Sequence, residues 1–199
     1  MRLISFYTKD TPYEAEADKL RNSCLMLGLS VEILGVPDRG SWDANHKWKP
    51  FVIKRALNTG DDDVLFVDAD ATLHGVPEID GEGCDFGVHI MDKAYWGQDT
   101  KRRNFSLMSG TLWFPNTDKA RDILTAWEDE NELEPKRWGQ KNLEKVVSFN
   151  PQLGVCDDGY RMLMLSERWC AIDKTMWGID DAIVRHHQAS RRLRGGIGR

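Results

Sequence analysis

The sequence predicts an α/β fold, a mixed but mostly parallel sheet flanked by helices, and three observations carry that prediction. Val64-Leu65-Phe66-Val67 is an unbroken apolar run of strand length, the habit of a central strand covered on both faces. Near the N-terminus a strand, a capped helix and a second strand follow one another, the order of a βαβ unit with a right-handed crossover. The 199 residues, 41% apolar and 30% charged, suit one domain, taken as 1–199, with a sizeable core.

Taken in order, residues 3–7 read as the first strand. Thr11-Pro12-Tyr13-Glu14 is a capping box with Pro at the first helical position. Tyr13, Ala17, Leu20, Cys24 and Leu27 recur at helical steps and mark the buried stripe, with Gly28 as C-cap. Residues 31–34 make the second strand, Gly40-Ser41-Trp42 a loop, and Trp48-Lys49-Pro50 opens a helix through residue 57. After the central strand, 85–89 is a short strand and 93–105 a polar, basic connection containing Lys101-Arg102-Arg103. Residues 106–114 resume strand character, interrupted by Ser109-Gly110-Thr111; a glycine within a strand marks close approach of a ligand or another backbone. Thr117 caps a helix whose face is Ala120, Ile123, Leu124 and Trp127, stopped by Pro135. A helix over 140–147 and a strand over 162–165 complete the pattern.

The chemistry centres on Asp68 and Asp70, which follow the buried strand directly. Residues i and i+2 of an extended chain point to the same side, which puts both carboxylates at the carboxyl edge of the sheet, where open α/β sheets bind ligands. Adjacent carboxylates repel unless a positive charge lies between them, and oxygen ligands at this spacing suit Mn²⁺ or Mg²⁺. Asp61-Asp62-Asp63 reads instead as a solvated turn. Tyr7 and Thr8 reach the same edge, where Tyr7 can stack a nucleotide base or pack in the core. Lys49 stands at a helix N-terminus, where anions bind, against the alternative of a solvated lysine. The chain ends on Ile183-Val184-Arg185-His186-His187-Gln188-Ala189-Ser190-Arg191-Arg192-Leu193-Arg194, which combines an imidazole pair with arginines whose planar forks suit phosphate. If 183–187 is extended, the two histidines face opposite ways and only one can join the aspartates.

The net charge of -5 disfavours a surface coated in positive charge for nucleic acid. No stretch reads as a membrane span, and the apolar run at the N-terminus is too short for a signal peptide, so the expected location is cytoplasmic. Cys24, Cys84, Cys156 and Cys170 lie far apart, which points to reduced, packed thiols rather than zinc or a disulfide framework.

Phe6-Tyr7-Thr8, Trp48-Lys49-Pro50, Val67-Asp68-Ala69-Asp70, Ser109-Gly110-Thr111 with Asn116-Thr117, and His186-x-Gln188-Ala189-Ser190-Arg191 occur here in this order. Together they resemble the small GT-A fold glycosyltransferases of bacterial and phage type, over most of the chain. The resemblance implies a nucleotide-diphosphate-sugar donor, with uridine the commonest base, and Mn²⁺ or Mg²⁺ held by Asp68, Asp70 and His186. It also implies nucleotide contacts from Tyr7, Thr8 and Lys49, a sugar pocket at Ser109 and Gly110, diphosphate contacts from Ser190 and Arg191, and closure of the donor site by 183–199. Trp138-Gly139-Gln140 departs from the family's acidic residue before the glutamine, so the usual inverting base is missing. Retention with Gln140 facing the sugar is the expectation, with Asp157 or Asp158 as base if the reaction inverts. The acceptor is expected to be a saccharide or other small hydroxyl compound, with a hydroxylated base in phage DNA as the other class that the basic segments admit. Two further readings use similar parts. A sugar nucleotidyltransferase (pyrophosphorylase) usually begins with a Gly-rich loop, where this chain has Tyr7-Thr8-Lys9-Asp10, and a non-catalytic nucleotide-binding module needs no clustered carboxylates.

Overall fold

The computed structural model describes residues 1–96, 104–157, 159–173 and 179–194. Its strands are β1 (Arg2–Thr8), β2 (Val31–Val36), β3 (Val64–Val67), β4 (Ala71–Leu73), β5 (Phe86–Asp92), β6 (Phe105–Phe114), β7 (Phe149–Asn150), β8 (Val155–Cys156), β9 (Met162–Leu165), β10 (Ala171–Ile172) and β11 (Val184–His186). Its helices are α1 (Tyr13–Met26), α2 (Trp42–His46), α3 (Lys49–Asn58), α4 (Asp118–Leu133), α5 (Gly139–Val146) and α6 (Ala189–Arg194). The main sheet has the order β2-β1-β3-β6-β5-β9, parallel except for β6, which runs antiparallel to both neighbours. The expected mixed, mostly parallel α/β sheet is therefore present.

The apolar run of β3 is buried throughout and divides its side chains between the two faces, as a period of two requires. Val64 and Phe66 join α3, α4 and α5 through Ile53, Leu57, Ile123, Leu124, Trp127 and Leu143. Leu65 and Val67 join α1 and β4 through Leu20, Cys24, Ala71 and Leu73. The predicted α1 stripe is buried at Ala17, Leu20 and Cys24, and Gly28 takes the left-handed conformation (φ 71°) just past the helix end.

Several local expectations change. The helix begins after Pro12, and the Glu14 carboxylate accepts from the Asp10 amide (3.1 Å) rather than closing a box on Thr11, whose hydroxyl instead accepts from the Tyr13 amide (3.3 Å). The stretch read as a loop from Gly40 becomes α2 at Trp42, because Ser41 caps it by accepting from the Ala44 amide at 3.2 Å. Asp68 and Asp70 are not extended: Ala71 N donates to Asp68 O at 3.0 Å, folding 68–71 into a turn that leads into β4. This β4 pairs antiparallel with β11, and β11 parallel with β10, in a small second sheet. Residues 184–186 are thereby bonded beside the aspartates. Lys101-Arg102-Arg103 lies outside the described residues.

Candidate active site

The site is assembled where β6 changes partner. Val88 pairs with Leu112 but His89 pairs with Met108, so Ser109, Gly110 and Thr111 drop out of register with β5. They serve the other neighbour: Asp68 N donates to Gly110 O at 2.8 Å, and Thr111 pairs with Val67. Gly110 marks a close approach, as its position in the strand implied. A Cβ there would lie 2.8 Å from His186 Cε1 and 3.3 Å from Asp68 Oδ2, so any larger residue would push the imidazole from the aspartate.

Asp68, Asp70 and His186 each present a potential ligand atom, and these atoms lie within 4.8 Å of one another. Each side chain is also held by the protein. Asp68 accepts from the Lys49 ammonium through Oδ1 at 2.7 Å, and Lys49, 1% exposed, donates to Ser109 O at 2.8 Å as well. Asp70 accepts from the Ala189 amide at 2.7 Å through Oδ2, while its carbonyl accepts from the His187 amide. His186 Nε2 pairs with Thr111 Oγ1 at 2.9 Å, which leaves Nδ1 on the Gly110 side. Burial pushes the Asp68 carboxyl up to about 6 against the pull of Lys49, and it raises Asp70 too. Burial, with Lys49 nearby, pushes His186 down to about 3, so its imidazole is neutral at ordinary pH. Two carboxylates and a neutral imidazole form a donor set suited to Mn²⁺ or Mg²⁺, so these residues fit the expected metal.

His187 points the other way, as an extended segment requires. Its Nδ1 pairs with Asp173 Oδ2 at 2.6 Å and its Nε2 with Thr72 Oγ1 at 2.8 Å. Gln188 turns the chain in a left-handed conformation (φ 51°), and α6 then lies against α1 through Arg192 and the buried Glu16 carboxylate at 2.8 Å.

These groups open on a cavity of about 1500 Å³ beyond the carboxyl ends of β1, β2 and β3. Tyr7, Thr8, Lys49, Asp68, Asp70, Ser109, Gly110, Gln140, His186, Ser190 and Arg191 all line it, so most of the sequence-predicted site residues are brought together. Lys49 does stand at the start of α3, but it is not solvated: it is buried as the counter-charge of Asp68. Tyr7 is half-buried, and Gly35 gives it room, since a Cβ at Gly35 would lie 3.0 Å from the phenol oxygen. Gln140, 3% exposed, donates to Ser106 Oγ at 3.1 Å and accepts from Ser109 N at 3.4 Å. Asp157 is exposed after β8 and does not line the cavity, and Asp158 lies outside the described residues.

Sequence reasoning missed one wall of the cavity. Trp42 and His46 of α2 line it together with Trp138, the residue before α5. The i, i+4 spacing of Trp42 and His46 was the available signal, hidden because no helix was expected there.

No protein-family model matches the sequence, and no curated protein is detectably similar to it. Solved structures are similar. A glycosyltransferase involved in the glycosylation of the major capsid of PBCV-1 matches with a TM-score of 0.67 at 15% identity, over 98% of this chain and 97% of that one. The fold is the GT-A glycosyltransferase fold. The galactosyltransferase LgtC, in complex with donor and acceptor sugar analogs, has the same GT-A architecture with a TM-score of 0.56 at 11% identity, over 94% of this chain and 87% of that one. GlyE of Streptococcus pneumoniae TIGR4 matches with a TM-score of 0.60 at 14% identity, and this chain spans about half of it, covering 55%. Among the described residues of this GT-A chain, no helix is long and apolar enough to cross a membrane.

Proposed function

We propose that the protein is a metal-dependent glycosyltransferase that moves a sugar from a nucleotide-diphosphate donor, a UDP-sugar, to a hydroxyl of a saccharide or other small acceptor. The observation that carries this reading is the convergence of Asp68, Asp70 and His186 within 4.8 Å, inside a cavity at the ligand-binding edge of a GT-A fold. Cleaving the bond from the anomeric carbon to the diphosphate leaves negative charge on the departing group. A divalent ion held by Asp68, Asp70 and His186 supplies Lewis-acid stabilisation of that charge when bound.

The chain's own residues divide the remaining work. Tyr7 and Thr8, at the end of β1, take the nucleoside. Lys49 offsets the charge of Asp68 and keeps its carboxylate aimed into the site. Ser190 and Arg191, on the turn of helix after Gln188, meet the diphosphate, and the segment from residue 183 closes the donor site through the Ala189 amide on Asp70. Ser109 and Gly110 line the sugar pocket beside Gln140. An active-site glutamine is a residue altered in LgtC, which adds support for placing Gln140 there.

The reaction retains anomeric configuration. An acid at position 139 would have to displace His46, because even a Cβ there lies 3.2 Å from His46 Nδ1. The exposed Asp157 does not line the cavity and is poorly placed to serve as an inverting base. Incubation with UDP-sugars and Mn²⁺, followed by NMR of the anomeric proton, tests the reading. Free UDP with a transferred or hydrolysed sugar of unchanged configuration is expected. An inverted product would sink retention, and a nucleoside triphosphate formed from pyrophosphate would make the protein a nucleotidyltransferase. Donor binding without turnover would make it a binding module.

A further inference from the structure

The cavity of about 1500 Å³ exceeds the roughly 300–1,000 Å³ usual for one small ligand, so it has room for a second beside a sugar nucleotide. One wall is aromatic. The rings of Trp42 and His46 lie 5.1 Å apart between centroids, Trp42 and Trp138 6.3 Å, and His46 and Trp138 6.1 Å. All three residues line the cavity, and Trp138 stays 38% exposed in spite of its size. The glycine at 139 belongs to this construction: it leaves the space that His46 fills at the start of α5.

Two indoles and an imidazole are poor partners for a diphosphate but good ones for the C–H face of a pyranose, whose weakly positive hydrogens meet the negative face of an aromatic ring. Polar side chains line the same cavity at Asn45, Gln140 and Lys141. The wall is linked to the reacting end through Trp138. Trp138 is two residues from Gln140, which accepts from Ser109, whose carbonyl holds the lysine paired with Asp68.

We propose that Trp42, His46 and Trp138 form the acceptor site and that the acceptor is a pyranose saccharide stacked on them. This rests on the glycosyltransferase reading, and the test separates the two. Wild type, Trp42→Ala, Trp138→Ala and Trp138→Phe are titrated with UDP and Mn²⁺ by calorimetry. Each is then applied, saturated with UDP and Mn²⁺, to an array of pyranose-terminated glycans. Wild type is expected to bind UDP and to retain a subset of the glycans. Each alanine variant should lose about 10-fold in array signal, with Trp138→Phe within about 3-fold of wild type, the scale of losing or keeping one ring stack. UDP affinity should stay within about 2-fold throughout, which also shows that the variants are folded. Retention of no glycan by wild type, or unchanged retention by both alanine variants, overturns the acceptor site. A parallel loss of UDP affinity overturns it too, by assigning the rings to the nucleobase. Failure of wild type to bind UDP with Mn²⁺ strikes instead at the donor and the glycosyltransferase reading beneath it.

Discussion

The carboxylate end of the cavity and its aromatic wall are held in opposite ways. At the first, three side chains are each pinned by a direct bond from another segment: Asp68 by Lys49, Asp70 by the Ala189 amide, and His186 by Thr111. At the second, Trp42, His46 and Trp138 are placed by ring packing on a five-residue helix and a helix start, and Trp138 remains well exposed. Charges taken out of water need fixed partners, because an unpartnered buried charge costs several kcal/mol, whereas rings tolerate small shifts at little cost. The first end is therefore expected to be rigid and intolerant of substitution, and the second adaptable.

Substitutions at the pinned end break that contrast most directly. Asp68→Ala and Asp70→Ala should each lower donor turnover by about 100-fold or more, the scale of losing stabilisation of a developing charge. Steady-state assays with Mn²⁺ check this, and near-normal rates in either variant would remove that carboxylate from the site. Lys49→Met leaves Asp68 without its cation. It should cost about 3 kcal/mol in a denaturant melt, the low end for breaking a buried pair because the aspartate side chain is 29% exposed.

The histidine pair offers a narrower test. His186→Ala should weaken Mn²⁺-dependent donor binding by about 10-fold or more, the scale for disturbing metal coordination. His187→Ala, which loses its bonds to Thr72 and Asp173, should mainly cost about 1 kcal/mol of stability. Calorimetry on both variants decides between them, and the reverse pattern would exchange their roles.

Metal binding should also depend on pH with a predictable sign. Burial raises the Asp68 carboxyl to about 6, so below that pH a proton competes for the carboxylate, while His186, at about 3, stays neutral and adds no proton in this window. Apparent Mn²⁺ affinity should be full above about 7 and fall by about 10-fold or more per pH unit below 6, since burial raises the Asp70 carboxyl as well. Titrations between pH 5 and 7.5, in buffers of different ionisation heat, will show whether a proton is released at the acid end. The smallest effect belongs to the aromatic wall: Gly139→Ala must move His46 by a few tenths of an ångström and should cost about 1 kcal/mol or less in a thermal melt.

Much of this was legible in the residues. The apolar run of β3, the stripe of α1 and the proline at the start of α3 mark their elements through periods and caps that act within one segment. Asp68, Asp70 and the histidine pair were legible as candidate chemistry; the alternation of an extended strand said that His186 and His187 face opposite ways, and only the family resemblance picked His186. What could not be read is where segments meet. The Lys49 ammonium resembles any lysine at a helix start until α3 packs beside β3 and draws it under Asp68. The turn at 68–71 depends on β4 finding β11, more than a hundred residues later. The register change in β6 that frees Gly110 requires both of its neighbours. Trp42 and Trp138 share a wall only once α2 and α5 are side by side. Local sequence determined the strands and most helices, and it supplied the candidate side chains of the site, because propensity, capping and period act over a few residues. Tertiary structure alone decided which charge faces which and which rings share a cavity, because those are contacts between segments with no sequence spacing in common.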